Sequence, residues 1–186
     1  PDSDGITPLM NACGMEENGY EMAKILLEAG ADPNIKNKSG QTALMYAASL
    51  KNAEKIVELL LASGANPNEK GNEGFSVMEV FLSSASELEV ASKIFETLLI
   101  YGADPDEKAP GSLTNLGKAI DISRPDIVRL FLEFGADPNK TDEWLVSPLM
   151  NAAWKEDAES MFELLLAGAD VTVRNINSET VEESLK

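Results

Sequence analysis

The chain's nearest approaches to a catalytic or metal-binding motif are three acidic triplets, Asp32-Pro33-Asn34, Asp104-Pro105-Asp106 and Asp137-Pro138-Asn139. Each begins like the Asp-x-Asp/Asn of a calcium loop, in which alternate side chains aim oxygens at one cation. The pattern then fails. Lys36, Lys108 and Thr141 hold the fifth place, and no glycine or closing glutamate follows in register. A lysine inside a cation site repels the ion it should bind. The triplets read instead as turns, in which proline fixes φ and Asn or Asp bonds its own backbone.

Other chemistries find less support. The chain has no histidine, so imidazole base catalysis and histidine metal ligation are excluded. A single cysteine excludes an internal disulfide and a thiolate zinc site within the chain. Cys13 stands where Ala48 and Ala153 stand in related stretches, a small buried helix position, and reads as a structural thiol. Neither glycine-rich phosphate loop is present. Carboxylates are plentiful, but on helix faces they read as solvated surface, and no pair stands out as an acid/base couple. No catalytic residue, cofactor or metal is expected.

The elements that position these residues recur. Gly30-Ala31-Asp32-Pro33-Asn34 and Gly64-Ala65-Asn66-Pro67-Asn68 are near-copies, and Gly-Ala-Asp/Asn returns at Gly102, Gly135 and Gly168. The spacings are 34, 38, 33 and 33 residues, the mark of a repeat array. Within each period a capping hydroxyl such as Thr42 opens a short helix, Thr42-Ala43-Leu44-Met45-Tyr46-Ala47. A second helix carries Ile56-Val57-Glu58-Leu59-Leu60-Leu61, and Gly64 stops it in the left-handed conformation. The opening element returns as Thr7-Pro8-Leu9-Met10-Asn11-Ala12, Thr114-Asn115-Leu116-Gly117-Lys118-Ala119 and Ser147-Pro148-Leu149-Met150-Asn151-Ala152.

With these motifs the chain resembles the ankyrin-repeat family, whose pattern is Thr-Pro-Leu-His-x-Ala with a Gly-Ala-Asp tail. The resemblance covers nearly all 186 residues. It implies an all-α solenoid of stacked helix-turn-helix units with hairpin loops, read as a single domain over 1–186. The repeats run over about 2–34, 35–68, 69–106, 107–139 and 140–172, with a partial or capping unit at 173–186. The family histidine is replaced by Met10, Met45, Glu79, Gly117 and Met150, which predicts looser hairpins. Repeat one has a turn about two residues long in surplus, at Gly14 to Gly19. Repeat three keeps only Ser76-Val77-Met78 of the opening element, and its surplus falls around Ser83-Ser84-Ala85-Ser86-Glu87, as a loop or as lengthened helices. Pro125 sits in the first turn of a second helix, where proline is tolerated, and Thr180 is a possible cap.

A formal net charge of −17 argues against bulk attraction to nucleic acid or anionic membrane and suits solubility. No apolar run approaches the roughly 20 residues of a membrane helix. The expected partner is therefore another protein, with no nucleic acid and no membrane insertion, and the chain is expected to be a monomer. The residues name no compartment, with a cytoplasmic one slightly favoured. Because Pro1 and Lys186 both fall within repeats, the chain reads as a fragment.

In the ankyrin architecture, hairpin tips and inner-helix ends line a concave groove for partners. The resemblance places Met15 there in repeat one, Lys36, Lys38, Ser39, Gln41, Ser49 and Leu50 in repeat two, and Lys70, Asn72, Glu73 and Phe75 in repeat three. Lys108 holds such a place in repeat four, and Trp144, Val146 and Trp154 in repeat five. Neither tryptophan matches a core position, and hot spots are enriched in tryptophan. The alternative is that Trp144 folds back over its own loop and Trp154 packs on the lengthened turn. Lys36, Lys70, Lys108 and Arg174 recur at one place and form either a steering rail or local neutralisation of nearby acids, the latter worth about 0–1 kcal/mol per exposed pair.

The function expected is a non-catalytic protein–protein interaction module. Its affinity would come from Trp144, Trp154, Phe75 and Leu50, with Lys36, Lys70 and Lys108 steering. The alternative is a recognition or autoinhibitory arm of a larger enzyme whose catalytic part lies outside this chain.

Overall fold

The computed structural model describes residues 1–48, 50, 53–84 and 91–185. Residues Pro1–Ala103 and Asp104–Lys186 form two compact units. In the first, short helices α1 (Pro8–Cys13), α3 (Ala43–Ala47) and α5 (Val77–Ser84) alternate with α2 (Gly19–Glu28), α4 (Glu54–Ala62) and α6 (Ala91–Ile100). The short helices pack on one another in order, α1 on α3 and α3 on α5, and so do α2 on α4 and α4 on α6. The second unit repeats the scheme. Its inner helices are α7 (Asn115–Asp121) and α9 (Pro148–Trp154), its outer ones α8 (Pro125–Glu133) and α10 (Ala158–Leu166), and a 3-10 turn follows at Glu183–Leu185.

Local chemistry sets the helix ends. Thr7, Thr114 and Ser147 accept the N–H three residues on, at 3.2, 3.0 and 3.3 Å, and so satisfy a free donor of the first turn. Thr42 departs from expectation: its backbone is extended, but its side chain makes no capping bond, and α3 is only five residues long. Pro125 and Pro148 occupy the first turns of α8 and α9. The second helices end where Gly30, Gly64, Gly102, Gly135 and Gly168 adopt φ near +88°, a region L side chains rarely enter. Five residues separate α1 from α2, against three between α7 and α8 and between α9 and α10, so the surplus of repeat one lies in that turn.

Two replacements of the family histidine do structural work. The Glu79 carboxylate accepts the Ser76 N–H at 3.2 Å while the Ser76 hydroxyl accepts the Glu79 N–H, a reciprocal cap that is fully buried. Met10 sulfur accepts from the Thr7 N–H at 3.4 Å, a weaker version of the same bond. The extra residues of repeat three lengthen α5 to eight residues, through Ser83 and Ser84. Residues 85–87 of that insertion lie outside the described residues.

The tails are joined by side chains as well as by packing. Asp32, Asn66, Asp104, Asp137 and Asp170 each accept the N–H two residues on, at 2.8 to 3.0 Å. The residue after the proline then reaches the next tail. Asn34 donates to the Gly64 carbonyl at 2.9 Å and accepts the Asn66 N–H at 2.8 Å. Asn139 does the same to Gly168 and Asp170, at 3.4 and 2.7 Å. The acidic triplets are thus joints between successive repeats. Cys13 is fully buried, and burial pushes its thiol up to about 12, which keeps it protonated and unreactive.

Candidate partner-binding surface

Four of the hairpin tips are built by one recurring acceptor, which repeat four, with Ala109 at that place, lacks. Asp2, Asn37, Asp142 and Asn175 each accept the N–H groups two and four residues on with a single side-chain oxygen, at 2.9 to 3.0 Å. Repeat three has Gly71 at that place and no such acceptor. Its hairpin closes through the backbone, with Gly71 N–H to Phe75 carbonyl at 3.0 Å and a single bridge between Lys70 and Ser76. The neighbouring tip then fastens it: Asn72 donates its backbone N–H to the Ser39 carbonyl at 3.0 Å and its amide to the Lys38 carbonyl at 2.7 Å. Gly40 is required for this approach, since a Cβ there would lie 2.6 Å from the Asn72 nitrogen.

In the first unit the tips of repeats two and three enclose a groove of about 430 Å³. Phe75, Met45 and Val80 give it apolar walls, and Lys38, Ser39, Gln41, Asn72 and Glu73 make a polar rim. That volume lies in the range of small ligand sites. Lys38, Ser39, Gln41, Asn72, Glu73 and Phe75, separate tip positions in the sequence, are brought together here. Met45 and Val80 were not singled out.

The remaining expected contacts fall as follows. Leu50 is a correction: it is only 7% exposed, because just past α3 its side chain turns into the core. Burying a leucine recovers about 1.5–3 kcal/mol over leaving it in water, so this is its stable place. Met15 is exposed in the turn after α1. Lys36 pairs with Glu69 at 2.6 Å and donates to the Lys70 carbonyl at 3.0 Å, and the same contact holds the Glu69 carboxyl below its usual range. Arg174 likewise pairs with Glu183 at 2.9 Å. Two of the four cations expected to form a rail are thus engaged by local acids. Lys70 is exposed and Lys108 half-buried. Ser49 lies outside the described residues.

In the second unit Trp144 is 50% exposed at the tip of its hairpin. Its backbone is held on both sides, by Asp142 through the N–H and by the Ile176 N–H on its carbonyl at 3.0 Å. Leu145 beside it is equally exposed, with φ of +57° where the first three hairpins have Gly5, Gly40 and Gly74. Val146 is half-buried. Trp154, at the end of α9, is 43% exposed and donates its indole N–H to the Ser184 hydroxyl at 3.0 Å. That link spans 30 residues and had no signal in the sequence.

Among the described residues no group of three or more Cys, Asp or Glu is placed to hold a metal ion. No helix among them is long and apolar enough to cross a membrane.

Stacked helix pairs joined by hairpins, with left-handed glycines ending each second helix, define a repeat protein of the helical class. The family described as ankyrin repeats (3 copies) matches residues 1–71 and 82–175, and the chain belongs to it. The stretch between the two matched segments, 72–81, is where repeat three loses most of its opening element. Ankyrin repeats are generally protein–protein interaction modules and are typically non-catalytic.

Proposed function

We propose that this chain binds a partner protein through the hairpin tips and inner-helix ends, with Phe75 and Met15 contributing in the first unit and Trp144, Val146 and Trp154 in the second. The observation that carries this reading is Trp144. An indole half in water on a tip whose backbone is fixed from both sides presents a large apolar surface that has little ordering left to lose on binding. Hot-spot residues combine these properties, and truncating one typically costs about 2 kcal/mol or more. Lys70 and Lys108 add positive charge near these tips, where they steer acidic groups of a partner. Leu50 has no part in the surface.

The test is capture from a lysate of the source organism on the immobilised chain, run beside a Trp144→Ala/Trp154→Ala variant whose far-UV circular dichroism matches the native chain. A protein retained by the native chain and lost by the variant is the expected result. Equal recovery on both removes the tryptophans from the site.

A further inference from the structure

The groove of repeats two and three carries more than an apolar wall. Its rim holds one cation and one anion from different hairpins, Lys38 and Glu73, both exposed. Neither side chain forms an ion pair among the described residues, whereas Lys36 and Glu69 close by are paired with each other. The two tips are fixed relative to one another by the Asn72 bonds to Lys38 and Ser39 and by the close approach at Gly40. Two opposite charges are therefore presented on neighbouring tips at the rim of a groove walled by Phe75, Met45 and Val80, and they are not paired with each other.

We infer that this groove receives an extended polypeptide segment with one large apolar side chain flanked by an acidic residue on one side and a basic residue on the other. The inference rests on the protein-binding reading above and names the chemistry of the segment. The apolar side chain fills the space over Phe75; the acid meets Lys38 and the base meets Glu73. A segment with two acids or two bases places a like charge against one rim residue, so the rim selects polarity as well as composition. Backbone groups of the segment have the Gln41 and Asn72 amides as hydrogen-bonding partners at the rim. Charge complementarity commits the groove to this bipolar segment rather than to a uniformly basic one, despite the net charge of −17.

The experiment is selection of random 12-residue peptides displayed on phage against the intact chain, followed by fluorescence anisotropy with the synthetic peptides recovered. The expected consensus is an apolar residue between an acid and a base. Phe75→Ala should weaken binding roughly tenfold or more, as loss of a central anchor does. Lys38→Glu and Glu73→Lys should each weaken it, and the double swap should favour peptides of reversed polarity. Selected peptides without the bipolar pattern, affinities unchanged by these variants, or no enriched peptide would each overturn the inference. The two proposals separate cleanly. A lysate partner lost with Trp144→Ala/Trp154→Ala but kept by Phe75→Ala leaves the binding module standing and removes this groove from it.

Discussion

At Asp106 a carboxylate stands where Asn34, Asn68 and Asn139 carry an amide. The asparagines donate to the carbonyls of Gly64, Gly102 and Gly168, while Asp106 accepts the Asp137 N–H at 3.0 and 3.1 Å and has no proton to give to the equivalent Gly135 carbonyl. Burial raises its pKa above the ordinary value, more than the Asp137 N–H lowers it. Because the folded-state value exceeds the unfolded one, its contribution to stability is present below the unfolded pKa and is lost as pH rises through the folded pKa. Asp106→Asn should supply the missing donor and remove that dependence. The expected gain at pH 7 is about 1 kcal/mol in urea unfolding, shrinking at pH 3; a loss at pH 7 would refute the assignment. Leu145 is the second residue out of keeping with its place. A branched side chain at φ +57° is strained, and Leu145→Gly should raise stability by about 1 kcal/mol in the same assay. An unchanged midpoint would mean that the backbone relaxes there at no cost.

At the scale of the elements, the tails do two jobs, and only one was legible in the sequence. Gly-Ala-Asp-Pro-Asn announced a helix stop and a turn, and both are present, with Gly30 and Gly64 at positive φ and Asp32 and Asn66 closing their own turns. The Asn after the proline, at Asn34, Asn68 and Asn139, joins one repeat to the next across about 30 residues of chain, which local pattern cannot reveal because its partner is a backbone group of no particular residue type. Asn34→Ala breaks both its bonds and should cost about 1–2 kcal/mol, read as a lower urea midpoint, with Asn34→Asp recovering only the half that accepts the Asn66 N–H. An alanine variant as stable as the native chain would show that helix packing alone sets the joint. Leu50 and Met45 mark the same limit in side chains. Hydrophobic periodicity runs out at the end of the five-residue α3, so it gave no direction for Leu50, and placing Met45 in that helix did not show that its edge walls a groove.

For the molecule as a whole, the helical repeat fold followed from five coincident tails, because a period imposes itself wherever the same contacts recur. The binding surface was legible only as a set of tip positions. Which tips enclose a groove depends on bonds between hairpins, such as Asn72 to Lys38, and which lysines stay available depends on acids such as Glu69 that lie about a repeat away in sequence. Fold and surface chemistry are separable here, and the fold by itself specifies no ligand. The central claim is that partners meet the hairpin tips of each unit and not the second helices of the repeats. The most direct measurement places a photo-crosslinking phenylalanine analogue at position 75, at position 144 or at the exposed position 58 of α4, followed by irradiation in lysate and mass spectrometry of the adducts. The account predicts partner adducts from 75 and 144 and none from 58. Adducts from 58 alone, or in equal yield from all three positions, would contradict it.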